Sequence, residues 1–397
     1  MYGSSLSLGK ENRDIFLIFF RRETMRRLLL FLMGGLLCVA PNEALQAVPR
    51  SKVSLSSKPP EDPEKGLRLA VLATVPLCWG TFSPSVRYIY ETETAHFFDA
   101  IPNGFSLAFS AAYYVVALCT LSLASTFQKT SSGGGPSPKG VSRAGLELGS
   151  YLFLGNCAQV VGLQSTTADA AAFLVQLTTI IVPTLEARLN GGYVSERTRR
   201  ACLLAFCGVA VICGGDVLRH PGAFAGDSLI VLAAIFYSLH VVRLSAFAPH
   251  FEPLDLALAK AKTETFLAVL SVTLLFLYYT NDFDAFFSST TANNDAPPLI
   301  AAVLWCGAVT TAYTIWAQSF GQRSVSPASA NLIYTSQPIF SALFAYLLVG
   351  EQPTVSIAIG GTIILLAVLS DLLAEDLKGK HHLIGGAGER GGGNNRR

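Results

Sequence analysis

The sequence predicts an all-α membrane protein of ten transmembrane helices arranged as two inverted five-helix repeats. Three observations carry that prediction. The 397 residues are 51% hydrophobic and only 14% charged, whereas a soluble domain carries about 25% charged residues. Apolar runs recur through most of the chain, each close to the ~18–20 residues a helix needs to cross a bilayer. The chain also repeats itself. Ala158-Gln159-x-x-Gly162-x-x-Ser165 returns 159 positions later as Ala317-Gln318-x-x-Gly321-x-x-Ser324, and the hydropathy match runs without a gap to Ser195 and Thr354. Only 8 of those 38 positions are identical, so the shared apolar pattern, closed by Gly191 and Gly350, carries the match.

A further observation is the placement of charge. The connections after the second, fourth, sixth and eighth spans, with their flanks, hold eleven basic residues: Lys129, Lys139, Arg143, Arg188, Arg197, Arg199, Arg200, Arg243, Lys260, Lys262 and Arg323. The connections on the other side hold Arg87 and Arg219. Basic loops stay on the cytoplasmic side of a membrane. Eleven against two therefore places both termini on the basic side and fixes an even number of spans. An odd number of spans per repeat inserts the second copy upside down, the arrangement found in many secondary transporters.

The elements follow in order. Residues 1–66 read as an N-terminal signal or targeting region and tail. Arg21-Arg22 and Arg26-Arg27 precede the 13-residue apolar run Leu28–Ala40, which is too short to span and has the form of a signal peptide ending near Ala47. Met25 is an alternative start. The Ser/Lys/Pro-rich stretch 48–66 loosely resembles the second part of a bipartite plastid presequence, against which Glu61, Asp62 and Glu64 count. An internal signal anchor or a disordered tail fits equally. Spans are expected at 67–90, 103–125, 143–164, 167–189 and 199–218 in the first copy (67–218). The second copy (226–375) places them at 226–247, 255–279, 297–320, 326–349 and 354–374. The Gly/Ser/Pro-rich segment 126–140 reads as a flexible linker, and 376–397 as a disordered tail.

Several short motifs resemble those of the EamA domain family of the drug/metabolite transporter superfamily. Trp79-Gly80 resembles the W-G pair that opens such domains, and Gly226-Asp227-x-Leu229 the start of a second copy. Pro338 with the apolar run to Gly350-Glu351 resembles the family's P…G-E element, and Thr166–Phe173 the matching turn of the first copy. Each motif is short; their order, spacing and duplication carry the resemblance across residues 67–375. Two departures stand out: Gly192 faces Glu351 and Thr179 faces Pro338 in the repeat register. The resemblance implies a ten-helix, two-copy carrier of small organic metabolites, and no particular substrate.

Polar side chains inside spans point to a site, because they are costly in hydrocarbon unless they meet polar groups or water. Asn156, Gln159, Gln164, Gln176, His240, Gln318, Tyr334 and Gln337 are of this kind. Gln159 and Gln318 are equivalent in the two copies and so face one shared cavity if the copies are related by a pseudo-two-fold axis. The structural alternative is hydrogen-bond glue between helices, worth ~0.6 kcal/mol each. Lys260 and Glu264 are four apart on one helix face and are set to pair, with Lys260 near enough to the membrane edge to snorkel. They are the candidates for coupling. Trp79, Tyr237, Tyr313 and Trp316 could wall a cavity or simply pack. Glu186 and Arg188 read as interfacial anchors.

Enzymatic readings find no support. Gly226-Asp227-Ser228-Leu229 spells a hydrolase signature but opens a membrane helix. There is no P-loop, no H-E-x-x-H and no G-x-S-x-G. Eight scattered cysteines without a C-x-x-C pair provide neither a metal site nor a disulfide framework. No cofactor is implied, and a net charge of +2 gives no reason to expect nucleic acid. The expected partners are a small-molecule metabolite and the lipid bilayer; homo-oligomerisation stays open. The functional expectation is secondary-active transport by exchange or proton coupling. A nucleotide-sugar or sugar-phosphate exchanger, with Lys260, Lys262 and Arg243 as its basic candidates, and a non-transporting scaffold or receptor are the alternatives. The membrane is a plastid envelope, an endomembrane or the plasma membrane.

Overall fold

The computed structural model describes residues 63–82, 85, 104–132, 140–163, 174–189, 194–219, 224–279, 296–349, 352 and 354–388. The signal-like segment up to residue 62, Arg87, Gln164, the turn Thr166–Phe173, Gly192 and Glu351 lie outside them. Every described element is helical. In chain order these are α1 (Lys65–Gly80), α2 (Gly104–Ser132), α3 (Val141–Leu163), α4 (Thr178–Leu189), α5 (Glu196–Arg219), α6 (Phe224–Phe247) and α7 (Pro253–Tyr279). There follow α8 (Ala296–Trp305), a π-helical segment (Cys306–Tyr313), α9 (Thr314–Gly321), α10 (Pro327–Tyr334), α11 (Gln337–Val349) and α12 (Val355–Gly388). Three apolar helical stretches are long enough on their own to cross a bilayer: Leu107–Thr130, Gly226–His250 and Pro297–Gly321.

The distribution of side chains is that of a protein whose solvent is lipid. Phe266, Leu277, Ile300, Val355 and Leu366 are exposed. Lys260, Glu264, His240, Gln318, Ser319, Asn331 and Asp371 are buried. With hydrocarbon outside, apolar residues gain nothing by facing inward, and polar residues converge where they can satisfy one another.

Helix α3 packs against α6 and α7, α7 against α2, and α5 against α12. Helix α1 packs on α9, α10 and α11, while α2 lies on the π segment and α4 touches α5, α6 and α10. Small residues set the closest crossings. A methyl group on Gly208 would sit 2.7 Å from the Gly360 carbonyl oxygen, and one on Gly360 would meet the Gly208 carbonyl in turn. The α5–α12 contact is thus glycine on glycine. Gly149 holds α3 against the backbone of α7 at Lys260.

Two expected spans are interrupted. Helix α10 stops at Tyr334 and α11 begins at Gln337. Pro338 explains the break: it has no N–H for the Tyr334 carbonyl, and its ring clashes with that carbonyl in a continuous helix. The turn is held by Thr335 N–H to Asn331 O (3.0 Å) and Ser336 N–H to Ile333 O (3.1 Å). A second break lies 159 residues earlier in the chain. Gln176 and Leu177 form a turn ahead of α4, with Thr179 N–H on Gln176 O at 2.9 Å. This happens although Thr179, 159 positions before Pro338, is not a proline. Thr179 Oγ1 instead hydrogen-bonds Thr335 Oγ1 at 2.9 Å, joining the two interruptions directly. A third departure is the widened turn Cys306–Tyr313, packed through Gly307 on Tyr113 and Val116 of α2.

Helix α12 runs on to Gly388, into residues expected to form the tail. One further expectation is corrected. Glu186, read as an interfacial anchor, is buried, and its Oε2 accepts from Ala328 N–H (3.0 Å) at the start of α10. A carboxylate there satisfies an orphan donor of the first turn and complements the helix dipole.

Candidate functional site

The broken helices and the π segment surround a cavity of about 230 Å³. Helices α1 and α2 contribute Trp79, Phe82, Tyr113 and Tyr114; α3 contributes Leu152, Asn156 and Gln159. The first break adds Val175, Gln176 and Thr178, and α6 adds Tyr237, His240 and Val241. Glu264 enters from α7, and Thr310, Thr311, Thr314, Ile315 and Gln318 from the π segment and α9. Asn331, Tyr334 and Gln337 complete the wall at the second break.

Asn156, Gln159, Gln176, His240, Gln318, Tyr334 and Gln337 therefore all reach one space, as does Glu264. Sequence gaps of up to 181 residues, from Asn156 to Gln337, are closed by the packing of the helices. The equivalent glutamines both hold tyrosines. Tyr237 OH donates to Gln159 Oε1 at 2.8 Å, and Gln318 lies within hydrogen-bonding reach of Tyr334. Tyr334 also accepts from Gln322 Nε2 at 3.0 Å, and Gln322 Oε1 accepts from Ser245 at 3.1 Å. Trp79 meets Tyr334 edge to face, with centroids 5.3 Å apart.

Lys260 and Glu264 do not behave as their spacing suggests. Lys260 is 0% exposed, so it does not snorkel, and it is not among the cavity-lining residues. Its Nζ donates to the Ile315 carbonyl at 3.3 Å rather than to Glu264. The π segment ends just before Ile315, so the ammonium supports backbone beside the irregular turn. Glu264 is 1% exposed, and its Oε1 has no hydrogen-bond partner. His240 Nε2, also facing buried space, has none either. Buried polar atoms without partners are rare enough to need a cause such as a bound group or water.

Tyr313 and Trp316, candidate wall residues, pack elsewhere. Tyr313 OH bonds Thr74 Oγ1 at 2.8 Å, and Trp316 stacks on Phe320 with centroids 5.5 Å apart. Conversely, Tyr113, Tyr114, Thr310, Thr311, Thr314 and Asn331 line the cavity without having been singled out from sequence. Asn331 was findable, since it is an amide within an apolar run; the tyrosines and threonines look like ordinary span residues.

At one end of the bundle, charged and polar groups tie helix termini together. Arg243 grips Glu147 through Nε and Nη2 (3.1 Å for the latter). Asp371 accepts from Thr198 Oγ1 at 2.8 Å and from Ser329 Oγ at 2.9 Å, linking α5, α10 and α12.

Comparison with known proteins agrees with this architecture. An uncharacterized transporter from Archaeoglobus fulgidus is 24% identical over 299 residues, 75% of this chain and 83% of the relative. A protein of known crystal structure matches in fold with a TM-score of 0.61 at 17% identity, covering 79% of this chain and 99% of the other. Residues 224–370 match the model of the EamA-like transporter family. The chain is a helical integral membrane protein whose residues 224–370 are similar to the EamA-like transporter family.

Proposed function

We propose that the protein is a secondary-active carrier of a small organic metabolite, with the central cavity as its substrate site. The observation that carries this reading is the pair of helix interruptions at Gln176–Leu177 and Thr335–Ser336. They are 159 residues apart, the repeat offset itself, and both border one cavity lined from either copy. Discontinuous helices at a repeat interface build substrate sites in secondary transporters because their free backbone groups and side chains can turn to a ligand.

The packing supports the two-copy, inverted arrangement of ten spans, with domains at 67–218 and 226–375. Exchanging the copies turns α3 on α6 into the 296–321 segment on α1, and α3 on α7 into that segment on α2. Both counterparts occur, and the contacts α2 with α7, α4 with α10 and α5 with α12 map onto themselves. Alternating access then arises from rocking about the cavity. The Glu186–Ala328 and Thr198–Asp371–Ser329 bonds lie where the basic-side closure would form.

A phosphorylated substrate finds little to hold it. Among the described residues no Lys or Arg lines the cavity: Arg243 is engaged by Glu147, Lys262 is exposed, and Lys260 is turned to the Ile315 carbonyl. A cavity that side chains line but do not fill favours a carrier over a scaffold. With no P-loop in the sequence, the energy comes from a solute gradient, by exchange or with protons. Purified protein in liposomes should take up substrates from a metabolite panel. Replacing Gln159 and Gln318 together with Leu should abolish that uptake while leaving expression and membrane insertion intact; unchanged uptake sinks the shared-cavity reading. Counterflow with unlabelled solute inside separates exchange from proton coupling.

A further inference from the structure

We propose that the ligand of this cavity is a small protonated amine with an aromatic or apolar body, and that Glu264 is its counter-charge. The inference rests on the reading of the cavity as the substrate site and goes beyond it by naming the chemical class. Among the described lining residues, Glu264 is the one Asp, Glu, Lys or Arg. Its Oε1 is buried and accepts no hydrogen bond. Lys260, one turn away, balances its charge at a distance while its own Nζ is held by the Ile315 carbonyl. The carboxylate is therefore tolerated in the interior yet keeps a free acceptor on the cavity side.

The surroundings suit a cation. Tyr113, Tyr114 and Tyr237 are electrostatic neighbours of Glu264, and Phe82 packs edge-on to Tyr113 with centroids 6.1 Å apart. Aromatic faces attract desolvated ammonium groups, and their breadth accepts an apolar body. Tyr237 OH is already committed to Gln159, so it does not satisfy Glu264. The second unpartnered atom, His240 Nε2 on α6, offers another polar contact on the same wall. Two open hydrogen-bonding positions argue for a primary or secondary ammonium rather than a quaternary one, which has no N–H to give. An anion would meet an unpaired carboxylate instead, which repels it.

The test uses purified full-length protein and three probes of one shape: 2-phenylethylamine, the neutral 2-phenylethanol and the anionic phenylacetate. The amine should raise the thermal midpoint, and the alcohol and acid at equal concentration should not. Glu264→Gln should weaken amine binding by about 30-fold or more, the loss expected when one partner of a buried charge pair is removed, and Glu264→Asp should retain part of it. Equal or larger shifts with the alcohol or acid, no shift with the amine, or wild-type amine affinity in E264Q would overturn the proposal. If E264Q fails to fold, the wild-type preference among the three probes still decides. Flux keeps the two readings apart. Amine binding without amine flux into liposomes strikes transport and leaves the ligand class standing. Phenylacetate flux without amine binding strikes the class and leaves transport standing.

Discussion

Lys260 and Glu264 carry the clearest lesson at the residue scale. Four-residue spacing places them on one helix face, and that much is correct. It does not fix the partner. The nearby Ile315 carbonyl, beside the irregular turn of the π segment, captures the ammonium, and a cavity opens beside the carboxylate. Removing one member of a buried charge pair leaves the other uncompensated, at a cost of about 3–5 kcal/mol. Lys260→Met alone should therefore lower thermal stability strongly, and adding Glu264→Gln should restore a good part of it. A double-mutant cycle on the purified protein measures this. Strictly additive losses would mean that the two charges are not coupled. Sequence reasoning reached Gln159, Gln318 and their neighbours because an amide in a membrane span is conspicuous. It passed over Tyr113 and Tyr114, because an aromatic residue in a span is ordinary until a cavity is seen beside it.

At the scale of elements, helix breaks were only partly legible. Pro338 accounts for the stop at Tyr334, but the first copy breaks at Gln176 with no proline there. Thr179 bonds across to Thr335 at the other break, a long-range contact that local sequence does not reveal. The π segment has no sequence signal either. Its wider turn is shaped by packing through Gly307 on α2, and such turns gather at functional sites. Glycine pairs at crossings yield a sharp comparison. Gly360→Ala drives a methyl into the Gly208 carbonyl and should cost roughly 1–3 kcal/mol, as overpacking does. At neighbouring Gly361 the nearest atom is 3.4 Å away, so Gly361→Ala should stay within about 0.5 kcal/mol of wild type. Thermal midpoints of the two variants check this. Equal effects would show that α5 and α12 do not cross where the glycines meet.

At the scale of the molecule, hydropathy carried the all-helical membrane character, because a bilayer imposes length and polarity on every span. The apolar exterior and polar interior follow from the same constraint. Substrate chemistry was less legible, since it depends on which of the many polar side chains face one space, and that is set by packing between helices distant in sequence. The central claim is that this space is reached by water from each side of the membrane in turn. The most direct measurement places Asn156→Cys in a background without native cysteines, reconstituted in liposomes, and adds a membrane-impermeant maleimide to one face or the other. Labelling from both faces is predicted, with Leu277→Cys, exposed on the apolar exterior, unreactive from either. Labelling of Asn156→Cys from one face only, or from neither, would contradict alternating access to the cavity.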